Sequence, residues 1–159
     1  MKKNTYIPRE NILGERYAVP SSRELAVAMA SDLMKQVNET AAILNRTVDP
    51  KVFFSRYDFL IACTHRLVLL SRKVKFSGEP PQVLLDRLTD AEYRSAVIDA
   101  FVERYCRSAH KKIAGLATQA DRDRNFQKYH TGLQPYYDWM YPENVSKFER
   151  LLPPEAGRG

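Results

Sequence analysis

Four helix-start signatures divide this chain of 159 residues, and each one precedes an amphipathic stretch. They are Ser21-Ser-Arg-Glu24, Asp49-Pro50, Thr89-Asp-Ala-Glu92 and Thr118-Gln-Ala-Asp121. In each signature a hydroxyl or carboxylate oxygen can accept hydrogen bonds from the unpaired N–H groups of a first helical turn. Pro50 occupies a first helical position, where the missing N–H is no loss. The signatures predict an all-α fold.

Rotation of each segment at 100° per residue predicts four main helices, at about 22–45, 50–75, 90–114 and 119–130. The first three carry strong apolar stripes, and the second is the most apolar. The fourth is polar and is expected to bury only Ala120, Phe126 and Tyr129. Shorter helices are expected at 81–88 and 142–152. Whether helices three and four run on through Gly115 stays open.

We therefore expect a single-domain bundle of four main helices plus one or two short helices over residues 21–152. An extended N-terminal arm is expected at 1–20 and a disordered tail at 153–159. The content of 44% hydrophobic residues is enough for one core, and only 6 glycines argue against a turn-rich all-β fold.

Charge and cysteine usage narrow the class of protein. The chain has 25 Lys and Arg against 19 Asp and Glu, a net charge of +6, with the charges dispersed along the sequence. This balance permits an anionic partner without requiring one. Cys63 and Cys106 fall on apolar helical faces, which is typical of buried free thiols in a reducing compartment. No signal-peptide stretch or uninterrupted apolar span is found, so a cytoplasmic protein without a membrane segment is expected.

One spacing in the fourth helix is similar to a known catalytic signature. Arg124-Asn-Phe-Gln-Lys-Tyr-His130 resembles the Arg-x(4–6)-His pattern of HEPN domains, which are four-helix ribonucleases and nucleotide-binding modules. The resemblance covers these seven residues. It implies that His130 would perform acid–base chemistry on an RNA 2′-hydroxyl while Arg124 stabilises phosphate charge. The alternative is that both residues are solvated residues on the surface of a polar helix.

Aromatic and cationic residues alternate near the C-terminus and give a candidate binding surface: Arg122, Arg124, Lys128, Tyr136, Tyr137, Trp139 and Tyr141. The rings could stack bases of single-stranded nucleic acid, cover the open end of the bundle as a lid, or form a protein interface. Asp138 and Glu143 would repel phosphate, which favours the lid, followed by the interface.

Basic residues also collect near two helix ends, in one group of Arg66, Arg72, Lys73 and Lys75 and another of Arg104, Arg107, Lys111 and Lys112. Complementation of the helix dipole is a sufficient local cause for both groups. Motifs for phosphate loops, zinc or di-iron sites do not occur, so neither a metal nor a cofactor is predicted.

A wider similarity covers roughly residues 49–144. Phe53-Phe-Ser-Arg-Tyr-Asp-Phe-Leu60, followed by Lys75-Phe-Ser-Gly-Glu-Pro-Pro81 and the helix after Thr89, resembles a helical segment of uncharacterised proteins from Gram-positive bacteria. This resemblance implies a bacterial, cytoplasmic setting and no activity. The sequence as a whole favours a non-enzymatic helical interaction or accessory module with a protein partner or self-association. Nucleic-acid binding is the alternative, and a HEPN-like ribonuclease is the second alternative.

Overall fold

The computed structural model describes residues 18–152, which contain six α-helices, one 3₁₀ helix and no β-strand. The elements are α1 (Arg23–Leu44), α2 (Pro50–Leu70), α3 (Pro81–Thr89), α4 (Ala91–Ala114), α5 (Gln119–Gly132), the 3₁₀ helix (Gln134–Trp139) and α6 (Pro142–Leu151). The all-α class is thereby confirmed, as are the two short helices. Most of the predicted arm and all of the predicted tail lie outside the described residues.

Two of the four helix-start signatures act as predicted. Asp49 accepts a hydrogen bond from the Lys51 N–H through Oδ1 at 2.9 Å, and α2 begins at Pro50. Thr118 accepts from the Asp121 N–H through Oγ1 at 3.1 Å, immediately before α5. Both side chains satisfy an N–H group that has no partner inside its helix.

The other two signatures are off by one residue. The cap of α1 is Ser22, not Ser21, and its Oγ accepts from the Leu25 N–H at 3.3 Å. The cap of α4 is Asp90, not Thr89, and its Oδ2 accepts from the Tyr93 N–H at 2.9 Å. Thr89 is the last residue of α3, where its hydroxyl donates back to the Leu85 carbonyl at 2.9 Å. Because that hydroxyl is already engaged, the neighbouring carboxylate caps α4.

Two helix boundaries also become clear. α4 ends at Ala114 and α5 begins at Gln119, so the two are separate helices joined by residues 115–118. α2 ends at Leu70 rather than near Lys75, and the loop that follows contains Gly78 with φ of 88°, a conformation that favours glycine. Within the described range, no helix has both the length and the apolarity needed to cross a lipid bilayer.

The described residues form two compact units. The first consists of residues 18–46 and 52–94 and contains α1, most of α2, α3 and the first residues of α4. α2 provides much of its buried apolar surface, as its sequence predicts: Phe53, Phe54, Tyr57, Leu60, Ile61, Leu67 and Leu70. The Tyr57 hydroxyl donates to the Leu88 carbonyl at 2.7 Å and so joins α2 to α3.

The second unit consists of residues 47–51 and 95–152 and contains the rest of α4, α5, the 3₁₀ helix and α6. Its core is aromatic and includes Phe101, Tyr105, Phe126 and Phe148, each at most 4% exposed. α5 buries Phe126 as predicted, whereas Tyr129 is half-buried and Ala120 is exposed. Ala120 lies in the first turn of α5, roughly 9 Å along the axis from Phe126, at a rise of 1.5 Å per residue.

Cys63 and Cys106 are buried free thiols, as predicted. Burial raises the pKa of both thiols, and it raises the pKa of Cys106 to about 12. Both side chains therefore behave as small apolar groups in the folded protein.

Candidate functional site

The candidate site lies in the second unit, beside the short connection between α4 and α5. Arg122 holds this connection in place: its guanidinium donates to the Leu116 carbonyl at 2.9 Å and to the Gln119 Oε1 at 3.0 Å. Arg122 was predicted to belong to a binding surface, but these bonds engage its side chain within the turn. A connection of four residues brings the C-terminal end of α4 next to the start of α5.

Tyr105 of α4 fixes the spacing between the two helices. Its hydroxyl donates to the Tyr129 carbonyl at 2.7 Å, and the two rings meet edge to face with centroids 5.8 Å apart. Burial raises the pKa of the Tyr105 hydroxyl, so this group remains a hydrogen-bond donor. A Cβ atom at Gly132 would lie only 2.6 Å from the Tyr105 Oη. Glycine at this position therefore permits the close approach of α5 to α4.

Between the two helices lies a cleft of about 390 Å³, lined by Val48, Asp49, Pro50, Tyr105, Ser108, Lys112, Lys128, Tyr129 and Gly132. A wider, more open cleft of about 650 Å³ is lined by Ser108, Lys111, Lys112, Gly115, Leu116 and Asn125. The two share Ser108 and Lys112 and therefore border each other along α4. We refer to them together as the α4–α5 groove.

Three lysines give this groove its charge. The Lys112 and Lys128 Nζ atoms lie 6.0 Å and 5.9 Å from the centroid of the Tyr129 ring, within the range of a cation–π interaction. Within the part of the chain that the structure describes, Lys111, Lys112 and Lys128 form no ion pair. The positive charge of the groove is thus not neutralised by a salt bridge.

Other cations of the same unit are paired with acids. Arg107 and Lys147 both contact Glu103, at 3.1 Å and 3.2 Å. Arg124 contacts Asp121 at 2.9 Å. These residues form a natural comparison group, because each pairs with an acid, whereas the three groove lysines pair with no acid among the described residues.

The two catalytic candidates lie in different environments. The Arg124 side chain is 72% exposed and is held by Asp121, one turn earlier on α5. The His130 ring instead stacks on Phe126 at a centroid distance of 5.7 Å and packs 5.9 Å from Phe148. Neither residue is part of the groove lining. The structure therefore does not unite them with the basic groove.

The aromatic segment contributes mainly to the protein interior. Tyr137 is half-buried and its ring meets Phe148 edge to face at 6.2 Å, while Tyr136 and Trp139 are also half-buried. Tyr141 is only 4% exposed and its N–H donates to the Asn144 Oδ1 at 3.1 Å, so its prediction as a surface residue is wrong. The reason is that Tyr141 caps α6, which brings its side chain into the core of the unit.

Of the predicted surface residues, Lys128 is the one that lines the groove. The other lining residues on the two helices were not predicted as site residues. They are Ser108 and Lys112 on α4 and Tyr129 and Gly132 on α5. Residues three or four positions apart lie on one face of a helix, so Ser108 and Lys112 share a face of α4, and Lys128 and Gly132 share a face of α5. A sequence-based prediction that the chain turns back at 115–118 would have placed these two faces opposite each other.

Comparison of the chain with protein-family models, with curated proteins and with solved structures found no match. The function is therefore inferred from the chemistry of the α4–α5 groove.

Proposed function

We propose that this protein is a non-enzymatic helical binding module, and that it binds nucleic acid through the α4–α5 groove. The observation that carries the proposal is the presence of Lys111, Lys112 and Lys128 in one groove, where none of them pairs with a carboxylate of residues 18–152. Phosphate groups along a nucleic-acid strand can neutralise such lysines, and the release of condensed counterions drives the association.

The dimensions of the groove favour a polymer over a single small anion. Along α4 its lining runs from Tyr105 to Lys112, which corresponds to roughly 10 Å at 1.5 Å per residue, and it continues to Gly115 and Leu116 in the connection. The lysines occupy positions on both helices, so they can contact more than one phosphate. Ser108 lines both clefts, and its hydroxyl can donate to a phosphate oxygen.

The surroundings of Arg124 and His130 support a binding role over the ribonuclease alternative. In-line RNA cleavage needs the histidine and the arginine around one phosphate. Arg124 is largely exposed and paired with Asp121, whereas the half-buried His130 ring stacks on Phe126. A single bundle of four main helices, self-association and a bacterial, cytoplasmic setting stay predictions of the sequence.

The proposal is tested by fluorescence anisotropy with a labelled oligonucleotide, measured over a range of salt concentrations. Three phosphate contacts predict that log K falls with log [salt] at a slope of about −2 for a single strand and about −3 for a duplex. The variant Lys111→Gln/Lys112→Gln/Lys128→Gln should bind weakly and show a slope near zero.

The matched control is Arg107→Gln/Arg124→Gln/Lys147→Gln, which removes the same net charge from cations that are paired with acids. We expect this variant to keep most of the affinity and of the salt dependence. Equal loss in both triple variants would show that only the overall charge matters. Absence of binding by the unmodified protein at low salt would contradict the proposed function itself.

A further inference from the structure

The α4–α5 groove contains apolar and aromatic groups beside its lysines. Its narrower cleft is lined by Tyr129, which is half-buried, and by Val48, whose side chain is 41% exposed although it is apolar. Pro50 and Leu116 add further apolar surface to the groove lining. One exposed apolar side chain is ordinary on a protein surface, but a cluster of them in a groove is typical of a binding site. Contacts with phosphate alone do not explain this cluster, because an apolar side chain offers an anion no hydrogen bond.

Tyr129 is held in this cleft by its backbone and by a neighbouring ring. Its carbonyl accepts from the Tyr105 hydroxyl at 2.7 Å, and the two rings meet edge to face with centroids 5.8 Å apart. The Tyr129 hydroxyl forms no hydrogen bond with any of residues 18–152. The ring is therefore fixed in position without being enclosed by the protein, which lowers the entropic cost of stacking a ligand on it.

Two exposed lysines accompany this ring. The Nζ atoms of Lys112 and Lys128 lie 6.0 Å and 5.9 Å from the centroid of Tyr129, so they are no more than about 12 Å apart. Cation–π contacts at exposed sites are weak, so phosphate groups can draw both ammonium groups away from the ring and leave room for a base. An aromatic ring beside cations is the combination with which single-strand-binding proteins hold a backbone and stack its bases.

A base can reach such a ring only when it is unpaired. In a duplex each base is stacked and paired, and taking it out of the duplex costs the free energy of both contacts. In a single strand the base faces are available, and stacking tolerates any sequence because every base has a π face. The cleft that contains Tyr129 and Val48 has a volume of about 390 Å³, near the lower end of ligand pockets, which suits one nucleotide.

We propose that the α4–α5 groove binds single-stranded nucleic acid in preference to a duplex, with one unpaired base stacked on Tyr129 beside Val48 while Lys112 and Lys128 contact the adjacent phosphates. This inference rests on the nucleic-acid binding proposed above. It assigns the lysines as the residues that provide affinity for any nucleic acid, and Tyr129 as the residue that determines the preference for an unpaired strand.

The test measures binding to three labelled 12-mers by fluorescence anisotropy: a single strand of mixed sequence, the same strand paired with its complement, and an abasic strand that keeps the phosphates and lacks the bases. Each is prepared as DNA and as RNA, and the form that binds more tightly is used for the variants. A stacked base predicts that the unmodified protein binds the single strand roughly fivefold or more tightly than the abasic strand. It should also bind the single strand more tightly than the duplex, because a paired base cannot reach the ring.

Tyr129→Leu keeps an apolar side chain and removes the stacking surface. It should reduce the preference for the single strand over the abasic strand to less than about twofold. Its affinity for the abasic strand and its salt dependence should stay as in the unmodified protein, because the lysines are retained. Tyr129→Phe keeps the ring and should keep the full preference.

The matched control is Tyr93→Leu, which makes the same change at a tyrosine that is 38% exposed and lies outside the groove lining. Its three affinities should equal those of the unmodified protein. Circular dichroism verifies that each variant is folded.

Four results would contradict this inference and leave the proposed function standing. They are equal affinity of the unmodified protein for the single and abasic strands, tighter binding of the duplex, an unchanged preference in Tyr129→Leu, and loss of abasic-strand binding in that variant, which would show that the ring serves only the structure of the groove. Absence of binding to all three probes would contradict both proposals.

Discussion

Asn144 is the residue whose replacement should destabilise the second unit most directly. Its side chain is completely buried and bridges α4 and α6. The Nδ2 group donates to the Ser95 carbonyl at 2.8 Å and to the Asp99 Oδ1 at 2.6 Å. The Oδ1 accepts from the Tyr141 N–H at 3.1 Å, which caps α6. The Oδ1 also accepts a longer bond from the Ser95 Oγ at 3.4 Å. The substitution Asn144→Ala removes all four bonds together.

The expected loss can be built from these bonds. The two shorter bonds between neutral groups contribute about 1 kcal/mol each, and the bond to the Asp99 carboxylate contributes about 1.5–3 kcal/mol. The 3.4 Å bond from Ser95 is long for a bond between two oxygens and adds little. Asp99 is partly exposed and can be hydrated when its partner is lost, which places the expected loss near the lower end of the sum, at about 3.5 kcal/mol. For a chain of this size, the melting temperature should then fall by about 7–14 °C.

The near-isosteric change Asn144→Asp separates hydrogen bonding from packing. The variant keeps an oxygen that can accept from the Tyr141 N–H. The amide NH₂ group that donates to Asp99 is replaced by a carboxylate oxygen, which cannot donate when ionised. Neighbouring carboxylates raise each other's pKa in the folded state above the ordinary value of about 3.9. The folded variant therefore binds a proton more tightly than the unfolded chain, so its stability deficit should be largest at pH 7 and shrink as the pH falls toward 4. Adding Asp99→Asn restores a donor and should recover part of the loss at pH 7.

Urea denaturation at pH 7 and pH 4.5, monitored by circular dichroism, measures the free energy of unfolding of each variant. The comparison requires the same m-value for all variants. A loss below about 1 kcal/mol in Asn144→Ala would refute the bond-by-bond reasoning. So would a deficit in Asn144→Asp that does not change with pH, because the predicted repulsion between the two carboxylates would then be absent.

Three glycines and a buried thiol give further predictions. Gly132→Ala should destabilise the protein by about 1–3 kcal/mol in urea denaturation, because its Cβ would lie 2.6 Å from the Tyr105 Oη. Gly115→Ala, with its nearest atoms at 3.7 Å, should be neutral or stabilising by up to about 1 kcal/mol, and a loss there would refute the steric argument. Gly78→Ala should cost about 1–2 kcal/mol through its φ of 88° alone, since a methyl group at this position would meet no other atom of the described residues within 4 Å. Burial raises the pKa of Cys106 to about 12, so the folded state keeps a proton that the unfolded chain loses near pH 8.5. Stability should therefore fall above pH 8.5, by at most about 1.4 kcal/mol per pH unit for this group, and Cys106→Ala should flatten that slope; an unchanged slope would exclude the thiol as its source.

Capping residues and apolar stripes were sufficient to predict the helices, because both act within one turn of the chain. The starts at Asp49 and Thr118 depend on a single local side chain and agree with the structure. The start of α4 depends on where α3 ends, and this is why Thr89 was assigned the role that Asp90 has. The prediction was wrong at this point because the Thr89 hydroxyl bonds to the end of α3 and not to the start of α4.

The groove was only partly predictable, since it depends on how two helices meet. Lys128 was among the expected surface residues, but Lys112 was explained by the helix dipole alone, and its role as a wall of the groove emerges from the α4–α5 hairpin. Arg122 and Arg124 were also predicted as surface residues, and neither lines the groove. Both side chains bond to groups close in sequence. Arg122 donates to the Leu116 carbonyl and Arg124 donates to Asp121, so each bond lies within α5 or the connection before it.

The polarity of α5 can now be explained by the way in which the helix is attached. Phe126 inserts into the aromatic core, the Tyr129 carbonyl accepts from Tyr105, and Gly132 allows the backbone to approach that hydroxyl. These three attachments lie one turn apart along the helix, so they hold it without a broad apolar stripe. Because the attachments that stabilise α5 also set the distance between Lys112 and Lys128, substitutions at Gly132 should alter binding and stability together, whereas substitutions of the lysines should alter binding alone.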